Sequence, residues 1–473
     1  MQQAEMVQRE NWRTRFGFIM AAAGSAIGLG NIWRFPYLTG EHGGSAFIII
    51  YLMCVIFVGL SIMIGEFAVG RKSGLAAVGA YKAHDRRWSF AGALGVLSGF
   101  FIMGFYPVVG GWSLAYMVKS VTGLLAVPEA VGDYFGAFVT SSVEPLIWML
   151  IYLAINVYIV ARGVQAGIET AGKILMPSLF VLLVILIIRS VTLPGATEGL
   201  KFLFAPDWSK VTGSTFLAAL GQAFFSLSLG MGCMITYGSY LSKKENIPSN
   251  ALTVVTMDTT AALLAAVAIF PALFSFGMEP AQGPGLVFVV VPTIFAQMGG
   301  VLGMIFSVFF FAVLTIAALT SSVSLLEVVV AYLIDEQKVE RRKATILAST
   351  VMAIMCVLSS LSMGLLSGVT LFGVGFFDFF DILTDKIFLA IGGMFLAIFV
   401  GWFMDKEELR SELTNDGTVS FGFFELWYNL MKYFIPLAIL AVAVMGITAI
   451  EQTSLMLFGL FIILAMMVFS KKL

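Results

Sequence analysis

The chain has 473 residues, of which 59% are hydrophobic and 12% are charged, and its mean hydropathy is +0.97. A soluble domain carries roughly twice that charged fraction, so the composition excludes a soluble globular protein and predicts an integral membrane protein. The formal net charge is −1, and the two histidines, His42 and His84, are far apart in sequence. They form no visible metal-ligand cluster or nucleophile–base pair, so we do not expect an enzyme.

Twelve apolar segments follow one another along the chain when about 20 apolar residues are taken as the length that crosses a bilayer as a helix. We call them spans 1 to 12; they lie near residues 15–38, 44–69, 90–124, 144–161, 167–189, 214–241, 250–277, 299–334, 344–363, 376–404, 428–450 and 453–470. The outer connection 278–298 is apolar but interrupted by Pro280, Gly283, Pro284 and Gly285, which indicates a re-entrant lid. We predict an all-α membrane protein with a single transmembrane domain over residues 1–473.

Lysine and arginine collect in alternate loops. The basic loops are residues 9–15, 71–87, 162–173, 243–244, 338–343, 406–432 and 471–472. By the positive-inside rule, both termini are cytoplasmic and the number of spans is even. The first apolar run continues into Asn31, Trp33 and Arg34 instead of a small-residue cleavage site, so we expect no cleavable signal peptide. The predicted location is the inner (plasma) membrane, with many passes through the lipid.

Two spans carry clustered glycines at residues 24–31 and 226–232. Glycine weakens a helix interior by about 1 kcal/mol relative to alanine, so both helices are expected to break at mid-span. The freed backbone groups need partners inside a bilayer, and a polar cavity is the usual solution. The breaks therefore predict one shared binding site, with close glycine packing of helices as the alternative.

The breaks fall in spans 1 and 6, five spans apart, so these two helices cross the membrane in opposite directions. This offset is typical of transporters built from inverted repeats. We predict a 5+5 inverted repeat, with a first half at about 10–190, a second half at about 213–404 and accessory helices at about 424–470.

Several sequence runs carry a family resemblance: NIWRFPY at 31–37, GEFAVGR at 65–71, FFSLSLG at 224–230, TYGSY at 236–240 and LTSS at 319–322. In this order along the whole chain, they closely resemble the neurotransmitter:sodium symporter family. The resemblance implies the leucine-transporter fold. It also implies sodium-coupled import of a hydrophobic amino acid, aliphatic or aromatic, by alternating access.

The resemblance implies two sodium sites. The first would use the Ala26 carbonyl with Asn31, Ser226 and Asp258, and would be closed by the substrate carboxylate; the second would use the carbonyls of Gly24, Ile27 and Ala317 with the hydroxyls of Thr320 and Ser321. Hard monovalent cations prefer such oxygen ligands. Taken alone, Thr320 and Ser321 would be interpreted as helix-to-helix hydrogen-bonding residues.

Asp258 departs from the family, which usually has asparagine there. Many relatives bind chloride close by, with a shell that would correspond to Tyr51, Gln222 and Ser226. Because Asp258 supplies a covalent negative charge, we predict that no chloride is required. An unpaired intramembrane carboxylate is costly, so Asp258 could take a proton when the site empties. Alternatively, Asp258 forms a purely structural pair with another residue.

The resemblance also implies a substrate pocket. Amides near Leu29 and Gly30, with the Tyr106 hydroxyl, would hold the carboxylate, and carbonyls of Ala26, Phe225 and Ser228 would hold the amine. The side-chain pocket would be lined by Ser25, Ile102, Tyr106, Val109, Phe225, Met231, Ser322 and Leu325. These residues carry no charge, so the substrate side chain is expected to be apolar. Another small zwitterion, such as alanine, glycine or a methylated amine, is the alternative.

Two gates are implied as well. Arg34 and Asp381 would form the outer gate with Phe225 as its lid; Asp378 is an alternative carboxylate, and the roles of Asp385 and Lys386 stay open. Arg9, Trp12, Tyr240 and Asp335 would form the inner gate. The expected partners are an amino acid and membrane lipid, without nucleic acid, for a monomer or weak homodimer. A non-transporting amino acid sensor is a more distant alternative.

Overall fold

A computed structural model describes residues 10–123, 127–279 and 285–472. Within these ranges the chain forms helices and no β-strand, apart from one isolated bridge between Leu371 and Val374. Spans 1 to 12 are Arg15–Ala26 with Gly30–Glu41, Ser45–Ser73, Ser89–Ile102 with Tyr106–Val121, Glu144–Ala161, Val164–Val191, Gly213–Ser226 with Cys233–Gly238, Ile247–Ser275, Gly300–Asp335, Arg341–Leu361, Phe376–Phe403, Phe424–Thr448 and Thr453–Val468.

Nine continuous helices in the described part of the chain are long and apolar enough to cross a membrane. Span 1 joins them as a bent pair whose halves differ in direction by 51°. The other two spans are shorter: span 6 is split into helices of 14 and 6 residues, and span 12 has 16 residues. Each predicted span therefore corresponds to helix in the structure.

Span 3 contains a third break, which the sequence analysis did not predict. Its helix stops at Ile102, turns through Met103–Phe105 and resumes at Tyr106. Pro107 has no backbone N–H, so it cannot donate to the Met103 carbonyl one turn earlier. The Cys356 thiol of span 9 lies 3.0 Å from that carbonyl and replaces the missing donor.

Short helices connect the spans on both faces: Ala77–His84, Val131–Thr140, Ala196–Phe204, Leu286–Met298 and Lys406–Thr414. The helix Leu286–Met298 lies in the connection predicted to be a lid, whereas Pro280, Gly283 and Pro284 of that prediction lie outside the described residues. Phe288 of this helix stacks on Phe135 and meets Trp112 edge to face. Aromatic contacts thus tie the connection to span 3.

The first half of span 1 lies at the centre of the molecule. All of its residues from Gly17 to Ala26 are buried, and spans 5, 7 and 8 pack around it. Glu169 of span 5 accepts hydrogen bonds from the Arg13 backbone N–H at 2.8 Å and the Thr14 hydroxyl at 3.0 Å. A carboxylate at the start of a helix is favourable because the helix dipole is positive there. Span 5 therefore holds the amino-terminal end of span 1.

Gly70 of span 2 provides a test of the packing between spans 2 and 6. A Cβ there would lie 2.0 Å from the Ile235 carbonyl oxygen, so Gly70→Ala should force the two backbones apart at a cost of about 1–3 kcal/mol. We expect a lower melting temperature for the purified variant in detergent. Gly136→Ala is the matched control, since a Cβ at this helical position meets nothing within 4 Å. Equal melting temperatures for Gly70→Ala and the unmodified protein would contradict this packing.

Candidate functional site

The breaks in spans 1 and 6 meet at mid-membrane. Span 1 leaves the helix at Ile27, and span 6 leaves it after Ser226. Gly230 has a φ of +75°, and a Cβ there would lie 2.4 Å from the Leu389 carbonyl oxygen. Glycine alone suits this backbone. The Ser228 hydroxyl donates to the Ser25 carbonyl at 2.8 Å, which joins the two breaks directly.

A small cavity lies between the breaks and span 3. Its lining residues are Ala26, Gly28, Gly30, Ile102, Tyr106, Phe225, Ser228, Met231, Ser321 and Leu325. All predicted pocket residues are among them except Ser25, Leu29, Val109 and Ser322, and the cavity adds Gly28 and Ser321. The lining contains no charged side chain, so an apolar group fits its walls.

One side of this cavity carries the groups predicted to bind a carboxylate. The Leu29 backbone N–H donates to the Tyr106 hydroxyl at 3.0 Å, so these two groups lie side by side. A Cβ built on Gly28 would lie 2.7 Å from the same hydroxyl. The Tyr106 hydroxyl is therefore in close contact with the unwound backbone of span 1.

Two of the predicted pocket residues direct their hydroxyls elsewhere. The Ser25 hydroxyl donates to Ser324 at 2.7 Å, and the Ser322 hydroxyl donates to Asn156 of span 4 at 2.7 Å. Val109 is buried on span 3, one turn after Tyr106, and is not among the residues that line the cavity.

Beside the cavity, the Asp258 carboxylate is fully buried among neutral hydrogen-bond donors. The Asn31 amide donates to it at 2.7 Å and the Ser226 hydroxyl at 3.0 Å, and the Tyr51 hydroxyl lies 3.5 Å away. A buried charge needs a counter-charge or dense hydrogen bonding. The structure thus brings together the side chains of Asn31, Ser226 and Asp258, which were predicted for the first sodium site.

The predicted second sodium site lies where span 1 touches span 8. A Cβ on Gly24 would lie 3.0 Å from Thr320 Cβ, and one on Gly28 would lie 3.0 Å from Ser321 Oγ. The Thr320 hydroxyl donates within its own helix, to the Ile316 carbonyl at 3.0 Å and the Ala317 carbonyl at 3.2 Å. Thr320 therefore lies against the last helical turn of span 1, and Ser321 lies against its unwound part.

On the outer side, Arg34 pairs with a different carboxylate from the one the resemblance implies. Its guanidinium donates to Asp385 at 2.6 Å and lies 5.0 Å above the Phe225 ring. Asp381 is one turn earlier on span 10. Asp385 lies within the π-helical turn Leu383–Phe388, where the extra residue of a π turn shifts the helical register. Asp385 is the carboxylate that contacts Arg34 directly.

A larger cavity of about 390 Å³ lies outside this ion pair. Arg34, Asp385 and Lys386 line it together with Tyr37 and Leu389. Phe225 belongs to the inner cavity and carries Arg34 on its outer face. Arg34, Asp385 and Phe225 thus separate the two cavities.

On the inner side, Trp12 and Tyr240 are in contact. The Trp12 indole N–H donates to the Tyr237 carbonyl at 3.0 Å, and the Trp12 ring meets the Tyr240 ring edge to face. Asp335 accepts from the Ala76 backbone N–H at 2.7 Å, at the start of the helix Ala77–His84. The predicted gate residue Arg9 lies outside the described residues.

Sequence reasoning missed two further buried carboxylates, Glu327 at this end and Glu66 at the break of span 6. Glu327 of span 8 is fully buried; it accepts from the Tyr240 hydroxyl at 2.7 Å and from Arg341 at 2.8 and 2.9 Å. A lone carboxylate in an apolar span was the available signal, since intramembrane charges pair with one another. Glu66, inside the GEFAVGR run, was missed in the same way; it accepts from the Gly230 backbone N–H at 2.8 Å.

Comparison with known proteins agrees with this geometry. A profile of the sodium:neurotransmitter symporter family matches residues 9–135 and 139–468. An uncharacterized sodium-dependent transporter of Bacillus subtilis (strain 168), YhdH, is 41% identical over 435 residues, covering 91% of this chain and 96% of the relative. An uncharacterized sodium-dependent transporter of Haemophilus influenzae is 36% identical over 450 residues, covering 92% of this chain and 97% of the relative.

A solved structure extends the comparison to the fold. The crystal structure of MhsT in complex with L-phenylalanine superimposes with a TM-score of 0.85 and 44% sequence identity, covering 93% of this chain and 100% of MhsT. The predicted all-α fold with broken helices 1 and 6 is confirmed by this match. The chain is therefore a sodium-dependent membrane transporter that belongs to the sodium:neurotransmitter symporter family and has the leucine-transporter fold.

Proposed function

We propose that the protein is a symporter that imports an amino acid with a hydrophobic side chain together with sodium. The observation that carries this proposal is the cavity between the two breaks. The Tyr106 hydroxyl, which lines the cavity and accepts from the Leu29 N–H, offers a donor for a carboxylate, and the Ile102, Met231 and Leu325 walls are apolar. The complex of MhsT with L-phenylalanine supports the same class of substrate.

Sodium would be bound as a co-transported substrate at two positions. The first ion would lie among Ala26, Asn31, Ser226 and Asp258, with the substrate carboxylate as a further ligand. This shared ligand would make substrate binding depend on sodium, because each strengthens the binding of the other. At −100 mV, entry of each sodium ion would contribute about 2.3 kcal/mol before its concentration gradient is counted.

The second ion would lie among the carbonyls of Gly24, Ile27 and Ala317 and the hydroxyls of Thr320 and Ser321. It would bridge span 1 to span 8 and so favour one arrangement of these helices. A ligand that binds one arrangement more tightly shifts the population toward it. We infer that this ion favours the outward-open arrangement and that its loss permits inward release.

Alternating access would use the contacts on either side of the cavity. Arg34, Asp385 and Phe225 would close the outer route, and the contacts of Trp12 and Tyr240, with Arg9 and Asp335, would close the inner one. We place both termini in the cytoplasm and the protein in the inner (plasma) membrane, because the basic loops alternate with loops that carry few lysines and arginines.

We further propose that transport does not require chloride. The carboxylate of Asp258 lies beside Tyr51 and Ser226, two of the residues that correspond to the chloride shell of many relatives. A fixed carboxylate there would balance the sodium charge as an added anion does elsewhere.

Uptake into proteoliposomes tests the proposed function. With an inside-negative potential, radiolabelled leucine and phenylalanine should accumulate when sodium is outside and should not when choline replaces it. Glycine, alanine and betaine form the comparison panel. Sodium-driven uptake of that panel without leucine or phenylalanine would contradict the apolar substrate, and no sodium-dependent uptake at all would contradict the symporter.

Replacing external chloride with gluconate tests the role of Asp258. The initial uptake rate should be unchanged, because the carboxylate supplies the negative charge. Asp258→Asn should reduce uptake in gluconate by about tenfold, with partial recovery in chloride. Asp207→Asn, at an exposed outer-loop carboxylate, is the control and should match the unmodified protein. Loss of unmodified transport in gluconate would refute the proposal.

The outer pair is tested by comparing Asp385→Asn with Asp381→Asn. Because Asp385 makes the 2.6 Å contact with Arg34, its neutralisation should lower the initial uptake rate by about tenfold, the scale expected for one charge-assisted hydrogen bond. Asp381→Asn should have the smaller effect. An equal or larger loss in Asp381→Asn would assign the gate to that residue instead.

A further inference from the structure

A buried polar network lies behind the cavity wall, between spans 4 and 8. The Ser322 hydroxyl donates to the Asn156 side-chain oxygen at 2.7 Å, and the Tyr152 hydroxyl lies 2.8 Å from the Ser322 oxygen. The Asn156 amide donates to the Tyr152 carbonyl at 3.0 Å. All three residues are 0% exposed. Span 4 thus engages a hydroxyl that the sequence resemblance assigned to the pocket.

The number of protons fixes the direction of these hydrogen bonds. A serine hydroxyl has a single proton, and that of Ser322 points to Asn156 and, at 3.1 Å, to the Leu319 carbonyl. The Tyr152 hydroxyl must therefore donate to the Ser322 oxygen. Both the proton and one lone pair of Ser322 are thereby occupied.

The network packs against the helices that form the cavity. Ser321 and Leu325, close to Ser322 on span 8, both line the cavity. On the other side, a Cβ on Gly110 of span 3 would lie 2.4 Å from Cζ of Tyr152, so the tyrosine ring is seated directly on the span 3 backbone. If the Ser322 side chain rotated, its hydroxyl could therefore reach the cavity wall.

We propose that Tyr152 and Asn156 are positioning residues for substrate selectivity. By engaging the Ser322 hydroxyl, they keep the side-chain end of the pocket apolar, so that an aliphatic side chain is preferred over a hydroxylated one of the same shape. This inference rests on the proposed transport of apolar amino acids. Neither residue lines the cavity, so both act through Ser322.

Valine and threonine are the appropriate pair of ligands because they have nearly the same shape and differ in one hydroxyl. An apolar pocket disfavours threonine because its hydroxyl loses water without gaining a partner. A released Ser322 hydroxyl would supply that partner. The ratio of threonine to valine half-inhibition concentrations, against radiolabelled leucine uptake, measures the preference.

Tyr152→Phe and Asn156→Leu test the proposal. Each should lower the threonine-to-valine ratio by about three- to tenfold, the factor that one gained hydrogen bond supplies. Tyr152→Phe keeps the aromatic ring packed on Gly110, so we expect this variant to fold. Size-exclusion chromatography in detergent checks the folding of both variants. Unchanged ratios with intact leucine uptake would overturn the proposal.

The same substitutions in a Ser322→Ala background separate positioning from general loosening of the pocket. Without the serine hydroxyl, Tyr152→Phe should leave the ratio unchanged. A change in the threonine-to-valine ratio that persists in the Ser322→Ala background would also overturn the proposal, because the substitution would then alter selectivity without Ser322. Absence of sodium-dependent leucine uptake in the unmodified protein is a different result: it contradicts the proposed function itself and removes the basis of this inference.

Discussion

Backbone polar groups inside a bilayer need hydrogen-bond partners, and the site depends on how the two broken helices meet this requirement. The Ser25 carbonyl accepts from Ser228, and the Gly30 carbonyl accepts from Gln222. The Leu29 N–H donates to Tyr106, and the Gly230 N–H donates to Glu66. Each partner comes from another part of the chain. The breaks are therefore held open by tertiary contacts, and residues of both breaks line one cavity.

The same arrangement places the proposed ion and substrate positions on one short piece of backbone. Asn31, from the end of the first break, contacts Asp258, while Gly28 and Leu29 of the same break lie against Tyr106. Gly24 and Gly28 lie against Thr320 and Ser321 of span 8. A cation held on either side of this segment would fix its conformation, and this would also set the shape of the proposed substrate-binding surface. Coupling would then need no long pathway through the protein, because the linked sites share residues.

Much of this site could be predicted from the sequence, because glycine clusters and family motifs are local in the chain. The breaks in spans 1 and 6 and most of the cavity lining follow from them. The pairing of Arg34 with Asp385 could not, since it depends on a π-helical turn in span 10. The direction of Ser322 depends on Tyr152 and Asn156, which are more than 160 residues away. The break in span 3 could have been predicted from Pro107. The sequence does not show that Cys356 donates to the Met103 carbonyl in place of the missing N–H.

The central claim is that sodium and substrate bind to one shared surface between the broken helices. Equilibrium binding of radiolabelled leucine to the purified protein, measured across a range of sodium concentrations at constant ionic strength with choline, tests it most directly. The account predicts that the dissociation constant falls steeply as sodium rises and that Asp258→Asn flattens this dependence. Leucine binding with the same dissociation constant in sodium and in choline would contradict it.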